Sequence, residues 1–173
     1  MLKFYLGVDL GLSGCMAVIN NNNSLVLLEL IPTIEVLINK KVRNQYDIQA
    51  INELFKAWIS DFNIVKAGME RLRPIPQQAS QVAFSLGGGT MLFKTLFTVY
   101  KIPYIEIEPR IWQKEIFKRA GVQYSGKTTK LASVAAAKTL FPGFSFRRTA
   151  KCKVDSPDMT DSAEIALYTK LIN

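Results

Sequence analysis

Four acidic residues carry the chemistry this sequence can do: Asp9, Glu70, Asp158 and Asp161. Asp9 closes an apolar run, Leu2 to Val8, that reads as a strand buried on both faces. Glu70 closes a second apolar run, Ile64 to Met69. A carboxylate at the mouth of a buried strand is costly unless something compensates it. Asp158 and Asp161 follow Ser156-Pro157, a pair suited to the N-cap and first position of a helix. Residues three apart lie about 60° apart around a helix, so both acids share a face. That face continues through Ile165, Tyr168 and Ile172 and should pack on the core. A helix dipole explains one acid in a first turn, not two on a core-facing side.

Four such groups brought together repel strongly. Mg²⁺ or Mn²⁺ between them would relieve this, since both ions prefer carboxylate oxygen and water. Two ions about 4 Å apart can activate a water and stabilise the leaving oxygen of an in-line phosphoryl displacement. The sequence contains no histidine, which removes Ser-His-Asp and Cys-His chemistry and nearly every zinc site.

The remaining composition agrees with a polyanionic partner. The 173 residues hold 22 basic and 14 acidic side chains, a net charge of +8. The excess is uneven, with 9 basic and 7 acidic residues in 1–100 but 13 and 7 in 101–173. A single domain over 1–173 is expected from this length. Cys15 and Cys152 lie far apart and suggest reduced thiols in a cytoplasmic protein. Leu2 to Val8 is too short for a signal segment, and no apolar run is expected to reach transmembrane length.

The elements that must position the acids can be read in order. Asp9 leads into a turn with Gly11 and Gly14; Cys15–Ile19 and Leu25–Leu30 then complete an antiparallel meander of three strands. Pro32–Tyr46, with Lys40, Lys41 and Arg43, reads as a solvated loop. Asp47 caps a helix to about Phe62, with Ile48, Ile51, Leu54, Phe55 and Trp58 as its apolar stripe. Arg71–Pro76 cannot be helical because of its prolines. Gln77–Tyr100 is a long helix that Gly87, Gly88 and Gly89 either break or open to a close approach. Pro103–Ile107 is a fifth strand, and Pro109–Ala120 is a helix with Trp112 and Lys114. Ser125 is expected to cap a helix over Lys127–Leu140, with Leu131, Val134, Ala135 and Leu140 facing inward. A basic irregular stretch, Phe141–Lys153, carries Arg147, Arg148, Lys151 and Lys153. The last helix runs from Pro157 to about Leu171.

This order, with GVDLGLSG, GMERLRP, PQQASQVAFSLGGG, EPRIWQKEIF and DMTDSAEIALY, resembles the ribonuclease H-like fold, and within it the RuvC-type Holliday-junction resolvases. The resemblance implies an α/β fold with a mixed five-stranded sheet flanked by helices. It implies Asp9, Glu70, Asp158 and Asp161 as a metal-binding quartet for Mg²⁺ or Mn²⁺, two ions per site, with no small-molecule cofactor. It implies a homodimer, with the glycine-bearing helix near the interface, that cuts four-way DNA junctions away from any membrane. It also implies a basic residue near the metals: Lys130 first, then Lys127, then Lys114. Where relatives often carry an aromatic three residues after the glutamate, this chain has Arg73, preceded by Arg71. Phosphate contact is the expected role of that loop, together with Lys114, Lys127, Arg147, Arg148, Lys151 and Lys153. The glycine triplet and the basic stretch resemble virus-encoded relatives in bacterial cells, which would suit action on forks and other branched DNA.

Other readings compete. Actin-like ATPases and sugar kinases also start with a strand, an Asp and a glycine turn, but they need two such domains. A DNA-binding protein without catalysis would use the basic face alone, and acids near DNA oppose that. A ribonuclease H-like enzyme acting on RNA–DNA hybrid or RNA shares every feature above.

Overall fold

The computed structural model describes residues 2–73 and 79–173. Strands β1 (Phe4–Asp9), β2 (Cys15–Asn20) and β3 (Leu25–Leu30) form the expected antiparallel meander. Strands β6 (Ile64–Glu70) and β7 (Tyr104–Ile107) add in parallel on the other side of β1. The resulting five-stranded sheet has the order β3-β2-β1-β6-β7. Between these halves, β4 (Thr33–Ile38) and β5 (Lys41–Tyr46) pair as a separate antiparallel hairpin. Helices α1 (Ile48–Asp61), α2 (Ser80–Val99), α3 (Pro109–Ala120), α4 (Thr129–Leu140) and α5 (Pro157–Leu171) complete the chain.

Two cores flank the sheet, and strand periodicity assigns residues to each. Phe4, Leu6 and Val8 of β1 face the core that holds Ile51, Phe55 and Trp58 of α1 and Phe93 and Phe97 of α2. Tyr5 faces the opposite core, which holds Trp112 and Phe117 of α3, Ala132 and Ala136 of α4, and Ala163 through Tyr168 of α5. Gly7 and Asp9 share the parity of Tyr5, so both belong to the α5 side.

Glycine makes that side work. A Cβ on Gly7 would run into the Ser162 carbonyl and the Ala166 backbone of α5. A Cβ on Gly68 would run into the Thr169 hydroxyl. Gly7 and Gly68 are register partners in the parallel β1–β6 pair. Helix α5 therefore lies directly on the two central strands, and most of its side chains are buried. The same two strands end in Gly7-Val8-Asp9 and Gly68-Met69-Glu70. Each acid is thus the next residue beyond the helix seat on the same face.

The structure corrects several expectations. Pro32–Tyr46 contains a hairpin, not a loop. Its two-residue turn, Asn39-Lys40, has positive φ at both positions (50° and 62°), as a turn matched to strand twist requires. Its strands are exposed on both faces, with Leu37 and Val42 in solvent, so no buried alternation marks them. Helix α2 continues through the glycine triplet; Gly89 is approached by the Tyr46 ring, and Gly87 and Gly88 face open space. Gln77 and Gln78, expected at its start, lie outside the described residues, as do Pro74 to Pro76.

Helix α4 starts at Thr129, leaving Lys127 in the preceding turn, and Thr128 rather than Ser125 is its N-cap residue. Its buried face is Ala132, Ser133, Ala136 and Ala137, while Leu131 is 73% exposed. Small residues face inward because α4 packs closely on α5. Among the described residues α2 is the one helix long and apolar enough to cross a membrane by length and composition, contrary to expectation. Its uncharged glycine and threonine positions leave the aliphatic and aromatic residues dominant, and Phe93, Leu96 and Phe97 pack into the core. Both cysteines are free.

Candidate active site

The four acids arrive from three elements. Asp9 ends β1, Glu70 ends β6, and Asp158 and Asp161 sit in the first turns of α5. All four are partly buried. Asp47 caps α1 as expected, accepting from the Ala50 amide at 3.0 Å, and takes no part.

Electrostatics shows that the four acids are gathered. Burial pushes Asp9 well above the usual carboxylate range, and Asp161, Glu70 and Asp158 push it further. Burial pushes Asp161 up to about 7; a hydrogen bond from Ser133 opposes this, and Glu70 and Asp158 add to it. Glu70 is raised by burial, with the Trp112 hydrogen bond opposing. Asp9 thus senses the other three acids and Asp161 senses Glu70 and Asp158, as expected when acids share one low-dielectric pocket.

Each acid is held by neighbours. The Trp112 indole donates from Nε1 to Glu70 Oε1 at 2.9 Å. Ser133 donates to Asp161, lies 2.6 Å from the Thr160 hydroxyl, and lies 3.1 Å from Glu164 Oε2. Arg148 donates from Nη2 to Asp158 Oδ2 at 2.5 Å and to the Ser13 carbonyl, and from Nε to Ser156 Oγ at 3.2 Å.

Glu164 is a fifth acid that sequence reasoning missed. It is fully buried, and its Oε1 has no hydrogen-bond partner. Burial, reinforced by Asp161, raises it well above the usual range. A signal existed: Asp158, Asp161 and Glu164 continue one three-residue spacing. Trp112 and Ser133 were also missed as site residues, and nothing in their local sequence marks a role toward Glu70 or Asp161.

The basic candidates divide. Lys130, exposed at the start of α4, is close enough for its charge to favour ionised Asp161. Lys127 is exposed in the turn before α4. Arg147, Lys151 and Lys153 are exposed on the segment that Arg148 anchors. Arg71 and Arg73 both reach Glu108, at 3.6 and 2.6 Å, and remain largely exposed at the rim beyond Glu70. Lys114 is not brought to the acids. It lines a groove with Arg110, Lys118, Tyr168 and Ile172 near the far end of α5, and ten helical residues from Asp158 to Tyr168 span about 15 Å.

The donor set is all hard oxygen, which suits Mg²⁺ or Mn²⁺. The elevated carboxyl groups fit as well, since a cation would lower them. Among the described residues, however, no three acids are arranged to hold an ion as they stand. Arg148 donates to one oxygen of Asp158 and Ser133 to one oxygen of Asp161, so the protein itself partners both acids in this arrangement.

The sequence matches no protein-family model and no curated protein. Solved structures do match. Thermus thermophilus RuvC in complex with a Holliday junction substrate aligns over 97% of this chain and 92% of its own, at 14% identity and a TM-score of 0.62. The fold is that of RuvC. A second Thermus thermophilus RuvC structure aligns over the same shares at 10% identity and a TM-score of 0.53. The yeast mitochondrial Holliday junction resolvase Ydc2 aligns over 95% of this chain and 76% of its own, at 16% identity and a TM-score of 0.56. The RuvC fold accounts for the mixed five-stranded sheet and its flanking helices; within this chain the β4–β5 hairpin forms a separate two-stranded sheet.

Proposed function

We propose that this protein is a divalent-metal-dependent, structure-selective endonuclease that cuts Holliday junctions and other branched DNA as a homodimer. One observation carries the reading. Four acids from three sequence-remote elements are electrostatically coupled at the end of a sheet with the RuvC fold.

Asp9, Glu70, Asp158 and Asp161 would hold Mg²⁺ or Mn²⁺, two ions per site. Bound there, the ions would supply an activated water and stabilise the leaving oxygen of the phosphodiester. The chain's own residues do the rest. Trp112 and Ser133 fix the carboxylates of Glu70 and Asp161. Lys130 sets a positive charge beside Asp161, where a phosphate would approach. Lys127, Arg147, Lys151 and Lys153 present exposed cations for the DNA backbone near the site. Arg71 and Arg73 add two more at the rim if the backbone draws them from Glu108. The second protomer would dock along α2. There Gly87 and Gly88 leave a notch between Phe84, 83% exposed, and Met91, 62% exposed.

The deciding experiment incubates the protein with Mg²⁺ and four-way junction, fork, linear duplex or RNA–DNA hybrid. Preferential cutting of the branched DNAs is expected. Cutting of the hybrid alone would favour a ribonuclease H-like activity. Binding without cutting of any substrate would leave a DNA-binding protein.

A further inference from the structure

Among the described residues Arg148 is the one cation in an ion pair with an acid of the cluster, and it belongs to the basic stretch rather than to a helix or strand. That stretch is pinned at both ends. Phe146 is fully buried, and the Ser156 amide donates to the Phe146 carbonyl at 2.7 Å. Between the pins the chain carries Arg147, Arg148, Lys151 and Lys153. The Arg148 guanidinium ties three places together: the glycine turn after β1 at Ser13, the α5 cap at Ser156, and Asp158. The Arg148 and Asp158 side chains are only 33% and 31% exposed, so this pair is half withdrawn from water.

The geometry points to Arg148 as a built-in counter-ion that a divalent cation must displace from Asp158, releasing segment 147–153 to bind DNA phosphate. This rests on the nuclease reading above. An arginine cannot give up its charge, so it leaves the acids only by moving. An ion placed on Asp158 Oδ2 would sit beside the guanidinium held there at 2.5 Å, and the two positive charges would compete for the same carboxylate. Once turned outward, the same planar fork matches a phosphate. Arg148 would then join the exposed Arg147, Lys151 and Lys153 of the same segment. Metal loading and backbone capture become one linked event, and linkage is reciprocal: DNA that draws Arg148 away tightens metal binding.

Titration calorimetry with Mn²⁺ and hydrogen exchange of segment 144–155 test this on the full chain. Arg148→Gln should bind Mn²⁺ about tenfold more tightly, the equivalent of one charged hydrogen bond. Arg148→Lys should also bind more tightly, because an ammonium cannot hold the three partners; simple charge repulsion would leave Lys equal to Arg. In the wild type, saturating Mn²⁺ should speed exchange in 144–155, and Arg148→Gln should exchange fast without metal. Unchanged or slower exchange in the Mn²⁺-loaded wild type, or unchanged affinity in Arg148→Gln, overturns the latch. Mn²⁺ binding and junction cleavage with an unmoved segment overturn the latch alone. No Mn²⁺ binding to any form overturns the latch and the nuclease reading together.

Discussion

The indole N–H of Trp112 donates to Oε1 of Glu70 at 2.9 Å, across the boundary between α3 and the end of β6. Trp112 is fully buried, so this bond orients the carboxylate from the protein interior. Trp112→Phe keeps most of the packing and removes the donor. Loss of such an orienting partner typically costs 10–100-fold in metal affinity or activity. We expect a fall of about that size in kcat for junction cleavage, with a stability loss of about 1–3 kcal/mol by urea denaturation. Unchanged activity would remove Trp112 from the site.

Gly7 and Gly68 set the height of α5 above the sheet. Gly7→Ala forces a methyl group into the Ser162 carbonyl and the Ala166 backbone. Rigid backbone cannot yield as a side-chain tip would, so we expect a stability loss of about 1–3 kcal/mol or more. Because the displaced helix carries Asp158 and Asp161, cleavage should fall further than stability alone explains. Urea denaturation beside cleavage rates on the folded variant separates the two effects.

These glycines also show how much of the site could be read from the chain. Asp9 and Glu70 are legible because each ends an apolar run, and Ser156-Pro157 marks the start of α5. The paired Gly-x-Asp and Gly-x-Glu endings are visible in retrospect, since parity puts glycine and acid on the same face. Arg148 was expected to touch DNA; nothing local reveals that it closes onto Ser13, a contact across 135 residues. The α4 face was misread because hydrophobic size suggested Leu131 inside, whereas close packing on α5 selects Ala132, Ser133 and Ala136. The β4–β5 hairpin escaped notice because a strand exposed on both sides has no burial pattern, and Asn39-Lys40 is a weak turn signal.

Stability should fall as pH rises in the metal-free protein. Burial pushes Asp161 up to about 7 in the fold from an ordinary value of 3.8. The folded state therefore holds more protons than the unfolded state across that interval, so stability drops from about pH 4 to pH 7. Asp9, Glu70 and Glu164 shift in the same direction. Thermal melts in EDTA should show Tm falling from pH 5 to pH 8. Added Mn²⁺ should flatten that slope, because a cation holds the carboxylates ionised. A Tm that rises with pH in EDTA would contradict the shifts.

Glu164 should behave as a neutral group. Burial with one unpartnered oxygen, reinforced by Asp161, raises its carboxyl well above the usual range and so favours the neutral form. Glu164→Gln is then nearly isosteric and should change stability by less than about 1 kcal/mol. It should also remove part of the pH dependence of Tm. Glu164→Ala leaves a cavity beside Ser133 and should cost about 2–4 kcal/mol. Circular-dichroism melts of both variants measure this; a large loss in Glu164→Gln would mean that the carboxylate is ionised.

Whether Asp9, Glu70, Asp158 and Asp161 act as one cation-dependent site is measured most directly with Asp158→Asn on a four-way junction. Binding is read in EDTA by gel shift, and single-turnover cleavage is read after Mg²⁺ is added. The account predicts that the variant binds the junction at least as tightly as the wild type and cuts it about a thousandfold more slowly, a rise of about 4 kcal/mol in the barrier. Equal cutting by Asp158→Asn and wild type would contradict it.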